Sequence, residues 1–439
     1  MGRWGKCIVI AAVLVILGTL ALPIVYLVRY AGRSGEVRRE IARIESEGMP
    51  ASAADLAGKP IPDSENGAVL YEKAFKYLPA PGARHDQFMM RRFRSFHDNW
   101  EDPEMWRQVR TALARYSKAL ELAEQAAAKP KCRFRIEWAK PLDYSDSQYM
   151  HLRYLCRLAT ARAVMHAKDG NMDQAVESIK LILRMSESMK DEPSLASRMV
   201  RYGAIQNATD AVEAVALYGG IDETRARRLC ELLAAVDLRD SAAKGLAGER
   251  AVGIVIYDRI RSGRMPKWAS DRDPDDIVGR MRGILPSGWV LGSDEIYYLK
   301  QMRKQIDAAA CPYRELAPRI RGAQPDPPRF AIVSAVIVPW GMRAISTRDR
   351  AIARLAGGRI FLGLVAYHSR YGAYPRTLEQ LRSRLGWRVA PDPFSGKDFV
   401  YRRKGAGFLL YSLGEDLRDG GGLDARMGGM GDIVWTRDR

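Results

Sequence analysis

Between Ser145 and Arg261 apolar residues recur at helical spacing with almost no interruption, which commits the chain to a mainly α-helical body. One hairpin is legible residue by residue. Tyr149 to Ala167 places Leu152, Leu155, Cys156, Ala159, Ala163 and Val164 on one stripe, and Lys168-Asp169-Gly170-Asn171 then breaks the helix. Met172 to Met189 returns, with Ala175, Val176, Ile179, Ile182 and Leu183 as the facing residues.

A helix, a Gly-Asn turn and a return helix opening on Ala175 resemble one tetratricopeptide-type unit, although no strict repeat of about 34 residues follows. Further helices are expected over Leu195–Leu217, Glu223–Val236 and Lys244–Arg261. A loose array of this kind exposes a concave surface that binds other proteins, whereas a closed bundle does not; both readings stay open.

Upstream, Arg33 to Glu47 has helical spacing and ends at Gly48-Met49-Pro50. Ala51 to Asp63 reads as extended, Asp63-Ser64 as the cap of a helix over Asn66 to Tyr77, and Pro79 to Asn99 as a loop, with helix resuming at Pro103. Arg261 to Gly292 is an irregular insertion. Its Asp271, Asp273, Asp275 and Asp276 lack the glycine and glutamate spacing of an EF-hand and read as a solvated acidic loop. Helix returns at Asp294 to Ala310, and Pro325 to Pro328 forms a hinge.

Cys7 to Val28 is an unbroken apolar run, with no charge between Lys6 and Arg29. About twenty apolar residues cross a hydrocarbon core ~30 Å thick, so we read the run as an uncleaved transmembrane anchor. A cleaved secretory signal has a shorter apolar region, about 7–15 residues, ending in a small-x-small site that is missing here. Basic residues flank both ends of the run, and charge alone does not set its orientation. The chain carries a formal charge of +18, with Lys and Arg spread along its whole length. Phe88 to Phe96 alternates cations with aromatics as single-strand binders do, but no nucleic-acid fold surrounds it. Nucleic acid is therefore not expected as a partner, and the lipid bilayer with its anionic headgroups is. The cysteines form no CxxC pair and point to no zinc site. Cys132, Cys156, Cys230 and Cys311 admit three disulfide pairings, and we read them as buried thiols.

Arg348 to Arg370 is the helix that opens a C-terminal module, with Ile352, Leu355, Ile360, Leu364 and Tyr367 at helical intervals. Phe399-Val400-Tyr401 and Phe408 to Ser412 alternate like paired strands around Lys404-Gly405-Ala406-Gly407. A helix packed on a short antiparallel sheet is expected.

In order and spacing, Tyr371-Gly372-Ala373-Tyr374-Pro375, Asp392-Pro393-Phe394-Ser395-Gly396, Tyr411-Ser412-Leu413-Gly414-Glu415-Asp416 and Gly431-Asp432-Ile433-Val434-Trp435 resemble the C-terminal half of the globular domain of type II secretion major pseudopilins. The resemblance implies a loop that closes around calcium outside the cytoplasmic membrane. Carried over position by position, it makes Asp416 and Asp432 carboxylate ligands, assisted by backbone carbonyls around Leu413 and Ser412. Where the family has the first aspartate of its Asp-Asp-Ile word this chain has Gly431, and Asp419 and Asp424 are the carboxylates at hand to replace it. Calcium takes about six to eight oxygens, and the alternative is a glycine-rich loop that folds without metal. A loop closed by calcium outside the cytoplasmic membrane also implies an anchor with a cytoplasmic N-terminus and the bulk of the chain on the periplasmic side of the inner membrane. Because Cys7 to Val28 contains no acidic residue and no leader precedes it, the chain is not expected to polymerise as a pseudopilus subunit.

The expected organisation is a transmembrane anchor over 1–32, an extended and helical linker over 33–100, an α-helical body over 101–345 and a pseudopilin-like α+β domain over 346–439. No GxSxG, HExxH, Walker or GxGxxG context occurs, and the histidines stand apart. Gly248-Glu249-Arg250 reads as a buried architectural ion pair. Two functions stay open. One is a non-enzymatic single-pass envelope protein making structural or protein–protein contacts near a secretion apparatus. The other is an envelope hydrolase or ligand-binding protein with its site in the helical body.

Overall fold

The structure is a computed structural model that describes residues 31–80, 102–141, 147–264, 288–320, 327–328, 330–338, 341–423 and 431–437. In chain order the helices are α1 (31–46), α2 (Ala53–Ala57), α3 (Gly67–Phe75), α4 (Pro103–Arg115), α5 (Ser117–Ala127), α6 (Ser147–Lys168), α7 (Met172–Ser188), α8 (Leu195–Gly219), α9 (Glu223–Ala234), α10 (Ser241–Arg261), α11 (Gly288–Ala308), α12 (Tyr313–Ile320), α13 (Ser334–Ile337), α14 (Gly341–Tyr371) and α15 (Leu378–Leu385). Three strands follow: β1 (Val400–Lys404), β2 (Gly407–Ser412) and β3 (Ile433–Arg437).

The hairpin read from the sequence is present. Gly170 takes φ 76°, a conformation that a side chain would strain, and its amide donates to the Ala167 carbonyl at 3.1 Å, so α6 stops and α7 can return. The third long helix, α8, packs against both. The other elements arrange themselves around this trio, with α3, α4 and α5 against α6 and α7, and α9 and α14 against α7 and α8. On the other side of α8, α10 pairs with α11, and α1 with the turn that follows it is fastened to α11 through Lys300–Glu36, Arg303–Glu40 and Arg303–Glu47.

Three local expectations are adjusted. Ala51 to Asp63, read as extended, contains the short helix α2, capped by the Ser52 hydroxyl, which accepts the Asp55 amide at 3.1 Å. The cap of α3 is Asn66, not Asp63-Ser64. Its side-chain oxygen accepts the amides of Ala68 (3.1 Å) and Arg133 (2.9 Å), and its amide nitrogen donates to the Arg133 carbonyl (3.0 Å), so one side chain serves both the helix and the segment beside it. The helix expected from Arg348 begins at Gly341 and runs for 31 residues. A buried pair holds its extra turns: Arg348 meets Asp349 at 2.8 Å and donates to the carbonyls of Ala309 and Cys311, while Asp349 accepts the Tyr313 amide at 2.7 Å.

The C-terminal sheet has the order β1-β2-β3, antiparallel throughout, with Val400 opposite Tyr411 and Leu410 opposite Trp435. The central strand is fully buried; Phe408 and Leu410 join the main core, and Leu409 and Tyr411 pack with Val434 on the opposite face. That main core is continuous from Ala68 of α3 to Trp435 of β3, so body and sheet share it.

The expectation of an N-terminal transmembrane helix, and with it a single-pass protein of the inner membrane, is corrected. Among the described residues no helix is long and apolar enough to cross a membrane. The long helices are disqualified by charge: α8 buries Arg198, Arg201 and Glu213, and α14 buries Arg348, Asp349 and Arg354, all among protein groups. What the described residues show is a mainly helical architecture with a small three-stranded sheet. The run Cys7 to Val28 that carried the expectation lies outside the described residues, as do the Phe88–Phe96 segment and Asp271 to Asp276.

Candidate functional site

The loop between β2 and β3 contains the residues singled out as calcium ligands. At its start, the Ser412 hydroxyl donates to Asp392 at 2.6 Å, and the buried Asp392 carboxylate also accepts the amides of Phe394 (3.1 Å), Ser395 (3.1 Å) and Leu413 (3.4 Å). Ser412 and Leu413 therefore tie the end of β2 to the Asp392 turn. At the far end Asp432 is fully buried, and its two oxygens accept the amides of Gly420 (3.4 Å) and Gly422 (2.7 Å). Burial pushes its carboxyl above the ordinary value, the two amides oppose this, and the charges of Asp419 and Asp416 add to the rise. Asp419 is held low by the Tyr411 hydroxyl (2.7 Å) and the Gly421 amide (2.9 Å), and Asp416 accepts the Arg418 amide at 3.1 Å.

The fold thus brings Asp416 and Asp419 within electrostatic reach of Asp432, while Asp424 lies outside the described residues. Among the described residues, no three His, Cys, Asp or Glu groups are placed to hold a metal ion. As it stands, the loop closes on hydrogen bonds from its own glycine amides.

A second site lies where α14 crosses α8. Two adjoining cavities of about 460 and 420 Å³ share Arg343, Thr347 and Arg350 as a common wall. The positions 343, 347, 350 and 354 follow one face of α14, and 195, 199, 203 and 206 follow one face of α8, so each wall is a helical stripe. The four arginines differ in their partners. Arg354 is buried, pairs with Asp210 and Glu213 at 3.4 Å each, and lies 5.5 Å from the centre of the Trp435 ring. Arg350 pairs with Glu415 at 2.9 Å. Exposed Arg343 and half-buried Arg153 make no ion pair among the described residues. Gly203, on the opposite wall, has open space where a Cβ would project.

Two buried acids lie away from the cleft. Burial pushes Glu192 up to about 7, and it accepts the Phe134 amide (2.8 Å) and the Tyr149 hydroxyl (3.3 Å); burial likewise pushes Glu295 up to about 7 beside Arg261. Neither lines the cleft. The Glu249–Arg250 pair read from the sequence is not formed: Glu249 accepts the Leu195 amide at 2.9 Å, and Arg250 makes no ion pair among the described residues. Cys132, Cys156, Cys230 and Cys311 are free thiols.

No family model, curated protein or solved structure matches this chain. The functional reading therefore rests on the two sites. The sequence contained one signal for the cleft, the spacing of Arg343, Arg350 and Arg354 on a single helix face. The spread of basic residues along the chain hid it.

Proposed function

We propose that this chain is a helical binding module that takes an anionic ligand in the cleft between α8 and α14. The observation that carries the reading is that Arg343 and Arg153 line the cleft with no ion pair among the described residues, beside Arg350, whose one carboxylate is at the cleft rim. Cations gathered in a concavity attract and hold an anion in competition with water, more strongly at low salt. Calorimetric titration of the whole chain with inorganic phosphate and with pyrophosphate tests this. Saturable binding that weakens at least about tenfold in Arg343→Gln, the loss expected when one charged hydrogen bond goes, supports the proposal. Absence of saturable binding by either anion overturns it.

We propose further that residues 346–439 form a pseudopilin-like cap. The support is the β1-β2-β3 sheet laid on α14 and the Ser412–Leu423 loop folded around Asp432. Calcium stands as the testable corollary of that likeness, with Asp416 and Asp432 as its carboxylates. Thermal melts in calcium and in chelator decide it: a calcium-dependent rise that disappears in Asp432→Asn supports the ion, and superimposable melts remove it.

A further inference from the structure

The two ends of the cleft differ in chemistry. Around the 460 Å³ end stand Arg343 and Arg350, whose guanidinium groups donate hydrogen bonds, with Ser346 and Thr347, whose hydroxyls donate to the Arg343 carbonyl at 3.2 and 2.6 Å. The 420 Å³ end adds Leu195, Met199 and Val200 from α8 and Ala344 and Ala351 from α14. Arg343, Thr347 and Arg350 belong to both; the 420 Å³ end also carries Arg153, Gln206 and the ion-paired Arg354, and an apolar strip of Leu195, Met199 and Val200 runs along α8 beside these cations. An inorganic ion would sit at the cations and leave this apolar trough wet. A ligand with an anionic head and an apolar body fills both.

We infer that the cleft is built for a single-chain amphipathic anion, with a phosphate or carboxylate head at Arg343 and Arg350 and an alkyl or aromatic body along Leu195, Met199 and Val200; this deepens the anion-binding reading and rests on it. Each methylene taken from water into such a trough tightens binding about fourfold, until the body outgrows the space. Met199 suits a trough of this kind, because its unbranched thioether adapts to bodies of different shape. Gly203 leaves the wall open, since a side chain there would grow into free space without displacing a neighbour.

The test titrates the whole chain with inorganic phosphate, butyl phosphate and octyl phosphate below its micelle concentration, with octyltrimethylammonium as the charge-reversed control. The expected order is octyl over butyl over inorganic, with at least about tenfold between the first and the last. Gly203→Trp is expected to erase the chain-length dependence, so that octyl and butyl phosphate bind alike, and Gly203→Leu to reduce it partway. Equal affinity for octyl and inorganic phosphate overturns this inference while leaving the anion reading standing. Octyltrimethylammonium binding as tightly as octyl phosphate overturns it too, and failure of every phosphate overturns both. A bilayer source is tested with phosphatidylcholine vesicles containing phosphatidic acid: cosedimentation without binding of monomeric octyl phosphate rejects the single-chain ligand.

Discussion

Arg350 of α14 and Glu415 of the β2–β3 loop meet at 2.9 Å on the rim of the cleft, so the loop that holds Asp432 and the wall that faces a ligand are fastened by one ion pair. Both side chains are partly exposed, 31% and 20%, which limits what the pair adds to stability. Its consequence is competitive: Glu415 already satisfies the arginine that an incoming anion would use.

Replacing Glu415 by Gln is therefore expected to tighten inorganic phosphate binding several-fold while costing the fold under about 1 kcal/mol. Calorimetry and a thermal melt on the same protein measure the two effects. Weaker binding in Glu415→Gln would show that Arg350 does not contact the anion.

Stability is expected to fall as pH rises across the neutral range. Glu192 is buried and its folded value, about 7, lies above the ordinary 4.5. The stability that its protonated form contributes is therefore complete below about 4.5 and is lost as pH rises through about 7, by an amount on the order of 3 kcal/mol. Glu295, also at about 7, acts in the same direction. Urea denaturation at pH 5 and pH 8 gives the slope, and Glu192→Gln should flatten part of it. An unchanged slope in that variant would mean that Glu192 is ionised in the folded protein throughout.

Two glycines on long helices should respond with opposite sign. A Cβ at Gly357 of α14 would stand 2.2 Å from the Trp435 ring, so Gly357→Ala overpacks the cap and costs about 1–3 kcal/mol. A Cβ at Gly203 of α8 meets nothing within 4 Å, so Gly203→Ala gains helix propensity and stabilises by up to about 1 kcal/mol. Melting curves of the two variants should move apart from the parent in opposite directions, and a shared direction would contradict this packing.

Asp392→Ala strips the acceptor from three amides and the Ser412 hydroxyl at a buried position. Leaving these donors unpaired is expected to cost on the order of 3–5 kcal/mol and to loosen the surroundings of Trp435. Near-ultraviolet circular dichroism with chemical denaturation checks it. A loss below about 1 kcal/mol would mean that water replaces the carboxylate.

The helical body was readable because local rules govern it. Apolar periodicity at Leu152, Leu155, Ala159 and Val164 and the break at Gly170 are sufficient to place α6 and α7. The hairpin around Gly405 was readable for a similar reason, since alternation and a short turn imply pairing; the register puts Lys404 opposite Gly407. Asn66 was missed as a cap because its side chain serves a partner 67 residues away, which spacing does not reveal. The membrane anchor was inferred from apolar run length alone, and no helix among the described residues supports it.

By itself, then, the sequence determined the long helices of the body, the break at Gly170 and the first two strands of the cap, because each depends on neighbours within a turn or two of chain. Only the tertiary structure decided which cations are paired. Arg354 meets Glu213 across 141 residues of sequence and Arg350 meets Glu415 across 65, whereas Arg343, on the same helix, meets no carboxylate among the described residues. Charge pairing is a matter of ångströms between elements brought together by packing: α8 neutralises Arg354, the β2–β3 loop neutralises Arg350, and Arg343 of the same helix stays open.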